Sequence, residues 1–188
     1  MRSGKKKAGG KASPSAPERM EASALRILAR RAHTRAELRR KLRLRGHPVG
    51  EVDVLLDRLT EIGYLDDEAA ARGWARHRLE VRPMGRRRLA AELAEKGIAR
   101  ESLEAVLEEA YPEGVERELA LRAARKRGLG AGPGSRERMV RFLRGRGFPF
   151  GCCLEAAGAL EAAAGEEHAA GAELPAGAEF PAGGDESS

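Results

Sequence analysis

Leu38-Arg-Arg-Lys-Leu42-Arg-Leu-Arg-Gly46 points to a repeat architecture, because the same pattern returns at Leu89–Gly97 and again at Met139–Gly147. Each copy has two large apolar residues four apart and a glycine four further on: Leu38, Leu42 and Gly46; Leu89, Leu93 and Gly97; Met139, Leu143 and Gly147. Apolar residues at this spacing in a polar run mark one face of a helix. The glycine reads as the helix's C-terminal stop, where a positive φ is needed. The three glycines are 51 and 50 residues apart. The agreement continues past them: Val52, Leu103 and Cys153 stand six residues on, then Leu55–Leu56, Val106–Leu107 and Ala156–Ala157. A helix–Gly–helix pattern with this period marks tandem helical units that bury their faces against each other.

Around these three copies the sequence divides into three units. The first, residues 20–65, opens with a helix over about Glu21–Ala32 carrying Leu25 and Leu28. Thr34 with Glu37 then forms a capping box for the helix that ends at Gly46, and His47-Pro48 bars its continuation. A third helix sets Val52, Leu55, Leu59 and Ile62 on one face, and Gly63-Tyr64-Leu65 closes the unit. The second unit, residues 66–112, starts with Asp66-Asp67 as a cap and a helix to about Glu80, with Ala70, Trp74 and His77 on one side. Pro83 and Gly85 precede the helix ending at Gly97, and Leu103, Val106, Leu107 and Ala110 mark the helix after it, stopped by Tyr111-Pro112. The third unit, residues 113–163, has a glycine-rich connection at 128–134, Ser135 as a cap, and a last helix from Gly151 to about Ala163. Strand signals are nearly absent, so the expected fold is all-α: three tandem three-helix repeats. Residues 1–19, with Lys5, Lys6, Lys7 and Lys11, and the acidic residues 164–188 cannot bury enough apolar surface to offset chain entropy, and disorder is expected for both.

The formal net charge is +6. A basic core beside an acidic tail suggests a polyanionic partner, with the tail competing for the same surface; the plainer account is solubility and the arginine-heavy usage of a GC-rich genome. No apolar run reaches the ~20 residues of a membrane span, and the N-terminal residues lack the apolar stretch of a signal peptide. Adjacent Cys152 and Cys153 are poorly placed for a structural disulfide. These features predict a soluble, cytoplasmic, monomeric protein. Signs of an enzyme are missing. His33, His47, His77 and His168 have no companions at metal-ligand spacing and read as surface or half-buried residues. The run Gly128–Gly134 lacks the third glycine of a phosphate loop, since position 135 is serine, and Gly10-Lys11 is followed by Ala12. Helix capping accounts for Asp66-Asp67. No catalytic residue, metal or cofactor is expected.

The arginines are the informative polar residues. Counting back one from each repeat glycine gives Arg45, Lys96 and Arg146, which the dipole at a helix C-terminus explains. Counting back eleven gives Arg35, Arg86 and Arg136, one at each helix start, where the dipole opposes a cation. Arg86-Arg87-Arg88 places three there in succession. With Arg39, Arg40, Arg43, Arg141 and Arg144 they form a candidate basic surface for phosphates or an acidic partner. Charge reversal of Arg86, Arg87 and Arg88 together is expected to spare folding and weaken binding. Trp74 and Tyr64 are too few for a stacking platform, and core packing is expected of both.

Arg35-Ala-Glu-Leu-Arg-Arg-Lys-Leu-Arg-Leu-Arg-Gly46, Leu59-Thr-Glu-Ile-Gly-Tyr-Leu-Asp-Asp67 and Met84-Gly-Arg-Arg-Arg-Leu-Ala-Ala-Glu-Leu-Ala-Glu-Lys-Gly-Ile98 resemble the RecX family. The resemblance covers about residues 22–163 and is strongest over 24–110. Its signature falls on Gly63, Tyr64, Leu65, Asp67, Gly85, Arg87, Leu89, Leu93, Lys96 and Gly97. It implies a curved, elongated molecule of three three-helix repeats that lies in the groove of the RecA–DNA filament. There it would modulate, usually inhibit, strand exchange, ATP hydrolysis and coprotease activity in DNA repair and recombination. Single-stranded DNA would be met directly or through the filament. A basic helical module that binds DNA by itself is the alternative.

Overall fold

The computed structural model describes residues 15–129 and 134–172 of the chain. Among these residues there are nine helices and no strand. Unit 1 comprises α1 (Ala16–Leu28), α2 (Arg35–Arg43) and α3 (Val49–Glu61). Unit 2 comprises α4 (Asp67–Val81), α5 (Arg86–Glu95) and α6 (Arg100–Ala110), and unit 3 comprises α7 (Val115–Arg127), α8 (Ser135–Gly145) and α9 (Phe150–Ala172).

The sequence repeat is a structural repeat down to single hydrogen bonds. Gly46, Gly97 and Gly147 adopt φ of +83°, +78° and +84°. At each, the glycine N–H donates to the carbonyl three residues back and the next N–H to the carbonyl five back. The second of these bonds, His47 to Leu42, Ile98 to Leu93 and Phe148 to Leu143, measures 3.3 Å in all three units. This left-handed stop closes the second helix and aims the chain at the third. Ahead of it, Leu38 and Leu42, Leu89 and Leu93, and Met139 and Leu143 are all fully buried.

Both ends of the helical body extend further than expected. Ser15 accepts from the Glu18 N–H, Glu18 returns a carboxylate to the Ser15 N–H, and Pro17 sits in the first turn. This capping box starts α1 at Ala16, so the tail drawn to residue 19 and the helix start drawn at Glu21 are both corrected. At the other end α9 runs on past Ala163 to Ala172, carried by an alanine-rich stretch of high helix propensity. The remaining tail residues, and the glycines at 130 and 132, lie outside the described residues.

Several side chains turn out differently. Ile62 is 55% and Tyr64 62% exposed, because Gly63, at φ +73°, turns the chain so that Leu65 enters the core instead. Leu25 lies outward, and Met20, Ala24 and Ile27 form the buried face of α1. On α4 the buried face is Ala70, Ala71, Ala75 and Leu79, leaving His77 exposed and Trp74 half-buried at its edge. Ser135 is not a cap: Gly134, at φ +67°, holds that place, and Ser135 is buried within the first turn. His33 is fully buried, not superficial. Its Nδ1 is 2.8 Å from the Arg31 carbonyl and its Nε2 is 2.6 Å from Lys41 Nζ. An ammonium can only donate, so Nε2 accepts and Nδ1–H donates, which fixes a neutral imidazole. Burial lowers the pKa of both His33 and Lys41.

Apolar burial divides the molecule unequally. Unit 1 has a core of its own, built on Met20, Ile27, Leu38, Leu42, Val52, Leu56, Leu59 and Leu65. Units 2 and 3 share one continuous core that runs from Leu79, Leu89 and Leu93 through Leu107 and Tyr111 to Leu119, Met139, Leu143 and Cys153.

Candidate basic interface

The first-turn arginines are explained by what the neighbouring helices supply. Arg35 pairs with Asp57 at 2.6 Å, Arg86 with Glu104 at 3.5 Å and Arg136 with Glu161 at 2.8 Å. Each partner lies on the third helix of the same unit. The negative charge that a helix start favours arrives from the following unit. Asp67 Oδ1 accepts the Arg35 N–H at 2.5 Å, and Glu116 Oε1 accepts the Arg86 N–H at 2.7 Å. Of the Asp66-Asp67 pair, therefore, Asp66 caps α4 through the Glu68 and Ala69 N–H groups, while Asp67 reaches back across the joint. Sequence spacing hides this device, because Asp67 and Glu116 sit at different distances from their repeat glycines and on different turn positions of α4 and α7.

Around that shared bond the two joints differ. Between units 1 and 2, Thr34 Oγ1 donates to the Lys96 carbonyl at 2.8 Å, and Lys96 Nζ reaches Glu37 Oε1 at 2.5 Å. Lys96 Nζ also lies 4.8 Å from the centroid of the Trp74 ring. Burial pushes the Glu37 carboxyl up, but hydrogen bonds from Lys96 and Arg31 outweigh it and hold its pKa at about 2. Between units 2 and 3 the position of Thr34 is taken by Gly85, whose N–H donates to the Arg146 carbonyl at 3.0 Å. A Cβ on Gly85 would lie 2.1 Å from the Gly147 oxygen, so only glycine permits this backbone crossing. The positions of Glu37 and Lys96 become Arg88 and Arg146, two like charges that turn to backbone carbonyls: Arg88 to Gly145 at 3.0 Å, Arg146 to Pro83 at 3.2 Å.

The ten arginines expected on the basic surface therefore separate into two groups. Arg35, Arg86 and Arg136 are paired across their units, Arg39 pairs with Asp53 at 2.6 Å, and Arg88 pairs with Glu92 at 3.3 Å. Arg40, Arg43, Arg87, Arg141 and Arg144 are exposed and make no ion pair among the described residues. The Arg86–Arg88 triplet is thus not a uniform patch. Reversing Arg88 would set a carboxylate beside Glu92 and against the Gly145 carbonyl, at the joint itself, so the triple reversal would test folding as much as binding.

Four of these five cations fall on equivalent positions, and Arg87 has no counterpart, its places on α2 and α8 being Ala36 and Glu137. Arg40 and Arg43 of α2 correspond to Arg141 and Arg144 of α8, and in α5 the same two places are Ala91 and Ala94. Arg40 and Arg43 line one open groove beside α2, and Arg141 and Arg144 line its counterpart beside α8. Two of these cations thus stand on unit 1 and two on unit 3, with alanine at both places on unit 2. Among the described residues no group of three His, Cys, Asp or Glu could hold a metal ion, and no helix is long and apolar enough to cross a membrane. Tyr111, the buried phenol, is spent on the Met84 carbonyl at 2.9 Å, and burial raises its pKa.

Residues 22–59 match the family model for the first three-helix domain of RecX, and residues 66–107 match that for the second. The regulatory protein RecX of Thermus thermophilus is 46% identical over 136 residues, covering 72% of this chain and 87% of its own length. The RecX of Halorhodospira halophila is 42% identical over 137 residues, covering 71% and 83%. In fold, the chain is similar to the crystal structure of RecX from Lactobacillus salivarius, with a TM-score of 0.65 at 17% identity over 78% of this chain and 97% of that one.

Proposed function

The chain belongs to the RecX family, whose members are regulatory proteins, and we propose that it acts without catalysis on a RecA–DNA filament, restraining strand exchange, ATP hydrolysis and coprotease activity. The observation that supports this most is the pair of equivalent basic stripes, Arg40 and Arg43 on α2 and Arg141 and Arg144 on α8. Cations without a carboxylate partner among the described residues, repeated at equivalent places on units 1 and 3, suit a partner that is itself periodic and anionic. In this reading the protein works as a cytoplasmic monomer, needs no metal or cofactor, and meets single-stranded DNA directly or through the filament.

The same arginines would also serve a module that binds DNA alone, and titration separates the two. Recombinase ATPase on single-stranded DNA is followed as the protein is added, beside a control for binding to DNA without recombinase. A filament regulator inhibits at far fewer copies than DNA sites. Inhibition that sets in only when the protein saturates the free DNA would establish the DNA module instead.

A further inference from the structure

Unit 3 clasps the C-terminal end of α4 with cations. Carbonyls at and just past that end accept from three of them: Leu79 from Arg122 at 2.5 Å, Val81 from Lys126 Nζ at 2.7 Å and Pro83 from Arg146 at 3.2 Å. Cations are favoured at a helix C-terminus, whose carbonyls lack partners within the helix. The number gathered here exceeds that need. Burial lowers the Arg146 pKa, and the charges of Arg82, Arg88, Arg127 and Arg78, all close by, lower it further.

Among the described residues these five guanidinium groups have one carboxylate partner, and two of them share it. Glu92 accepts from Arg78 at 2.8 and 3.1 Å and from Arg88 at 3.3 Å. Arg82 and Arg127 are exposed and make no ion pair among the described residues. Arg146 meets the Pro83 carbonyl and stands 4.7 Å from the centroid of the Phe142 ring, neither of which carries a full negative charge. The backbone keeps the group together. Arg146 lies between Gly145, whose carbonyl holds Arg88 at 3.0 Å, and Gly147, which crosses Gly85 in contact. Like charges held half-buried are poorly screened, and an anion among them relieves the repulsion. A carboxylate is planar and suits one guanidinium fork, as Glu92 does for Arg78. A phosphate group presents oxygens in several directions and carries more charge, so it suits forks converging from three elements.

We propose that Arg82, Arg127 and Arg146 form a binding site for a multiply charged phosphate group at the joint between units 2 and 3, with Arg78 and Arg88 behind them. A phosphate held there ties the end of α4 to the ends of α7 and α8, and so strengthens the joint that binds it. None of the three belongs to the ten arginines picked out by the repeat, and the site shares no residue with the stripes on α2 and α8. It therefore stands or falls apart from the recombinase reading.

The test titrates the full chain with sodium tripolyphosphate at fixed ionic strength, following heat of binding and thermal unfolding. Binding should raise the unfolding temperature of units 2 and 3 by several degrees and leave unit 1 unmoved. Arg82→Gln with Arg127→Gln, both exposed, should keep the helical content and weaken binding about tenfold or more, since each charge-assisted hydrogen bond is worth about that factor. Arg40→Gln with Arg43→Gln should leave it within about twofold. Equal binding by the parent and the Arg82→Gln, Arg127→Gln variant overturns the proposal, as does an equal loss in the Arg40→Gln, Arg43→Gln variant, which would mean attraction by net charge alone. A short single-stranded oligonucleotide of matched charge supplies the second arm. Whichever of the two anions loses more affinity in the Arg82→Gln, Arg127→Gln variant identifies the source, a free oligophosphate or a nucleic-acid backbone.

Discussion

The joint between units 1 and 2 and the joint between units 2 and 3 use the same repeat positions for opposite ends. Both begin with a carboxylate from the next unit on a helix N-terminus, Asp67 on Arg35 and Glu116 on Arg86. The first joint is then completed by polar groups, Thr34 on the Lys96 carbonyl and Lys96 between Glu37 and Trp74. The second is completed by a glycine crossing and by a core continuous on both sides, with Arg122 of α7 donating to the Leu79 carbonyl of α4. A repeated backbone thus sets where units touch, and the side chains at three equivalent positions set how firmly. Apolar burial is cooperative and insensitive to salt, while hydrogen bonds and ion pairs near the surface are worth little each and weaken with salt. Units 2 and 3, on one core, thus form one body, with unit 1, on its own core, a separately held neighbour.

The largest expected effect lies at the second joint. Gly85→Ala places a methyl 2.1 Å from a backbone oxygen, although the φ of −77° is one that alanine adopts readily. Overpacking against a backbone that cannot give should cost on the order of 3 kcal/mol. Calorimetry should show the loss in a single transition of units 2 and 3, with that of unit 1 unmoved; a cost under about 1 kcal/mol would mean the crossing is soft. Thr34→Ala comes next. It removes both the cap on the Glu37 N–H, at 3.1 Å, and the bond to the Lys96 carbonyl, for about 1–2 kcal/mol. That loss should fall on unit 1 alone, and destabilisation of units 2 and 3 by the same amount would erase the distinction between the joints.

Acid should open the first joint before the second. The Glu37 pKa is depressed from 4.5 to about 2, so its contribution is complete above pH 4.5 and is lost as pH falls toward 2. Trp74, the only tryptophan, reports the event because Lys96 stands over its ring. Its fluorescence should change through that window while the helical signal of units 2 and 3 persists, and Glu37→Gln should abolish the step. The smallest effect on stability belongs to Arg40→Ala and Arg43→Ala, each within about 0.5 kcal/mol by denaturant unfolding, since both are exposed and neither makes an ion pair among the described residues.

Much of this was legible in the sequence because it is periodic. Gly46, Gly97 and Gly147, the buried pairs ahead of them and the Thr34–Glu37 capping box all follow local rules that a single helix obeys. What escaped was relational. Asp67 and Glu116 have the same task at unequal spacings, and the arginines at the helix starts look anomalous until the third helix of each unit brings Asp57, Glu104 and Glu161 beside them. In the sequence Ser15 falls in the tail because its capping box precedes the first large apolar residue, and Tyr64 falls in the core because nothing local shows that the turn at Gly63 faces it outward. For the basic surface, sequence chose the residue type and the structure divided it: five arginines are committed to carboxylates and five are free.

The role of the basic stripes rests on binding of a variant with Arg40→Glu, Arg43→Glu and Arg141→Glu to a recombinase filament on single-stranded DNA, followed against salt. None of the three makes an ion pair among the described residues, so helical content and unfolding should match the parent. The account predicts that affinity and ATPase inhibition are lost, and that the parent's binding falls as salt rises, with a slope that decreases by about one for each cation reversed. A folded variant that inhibits as strongly as the parent, with the same salt slope, would contradict it.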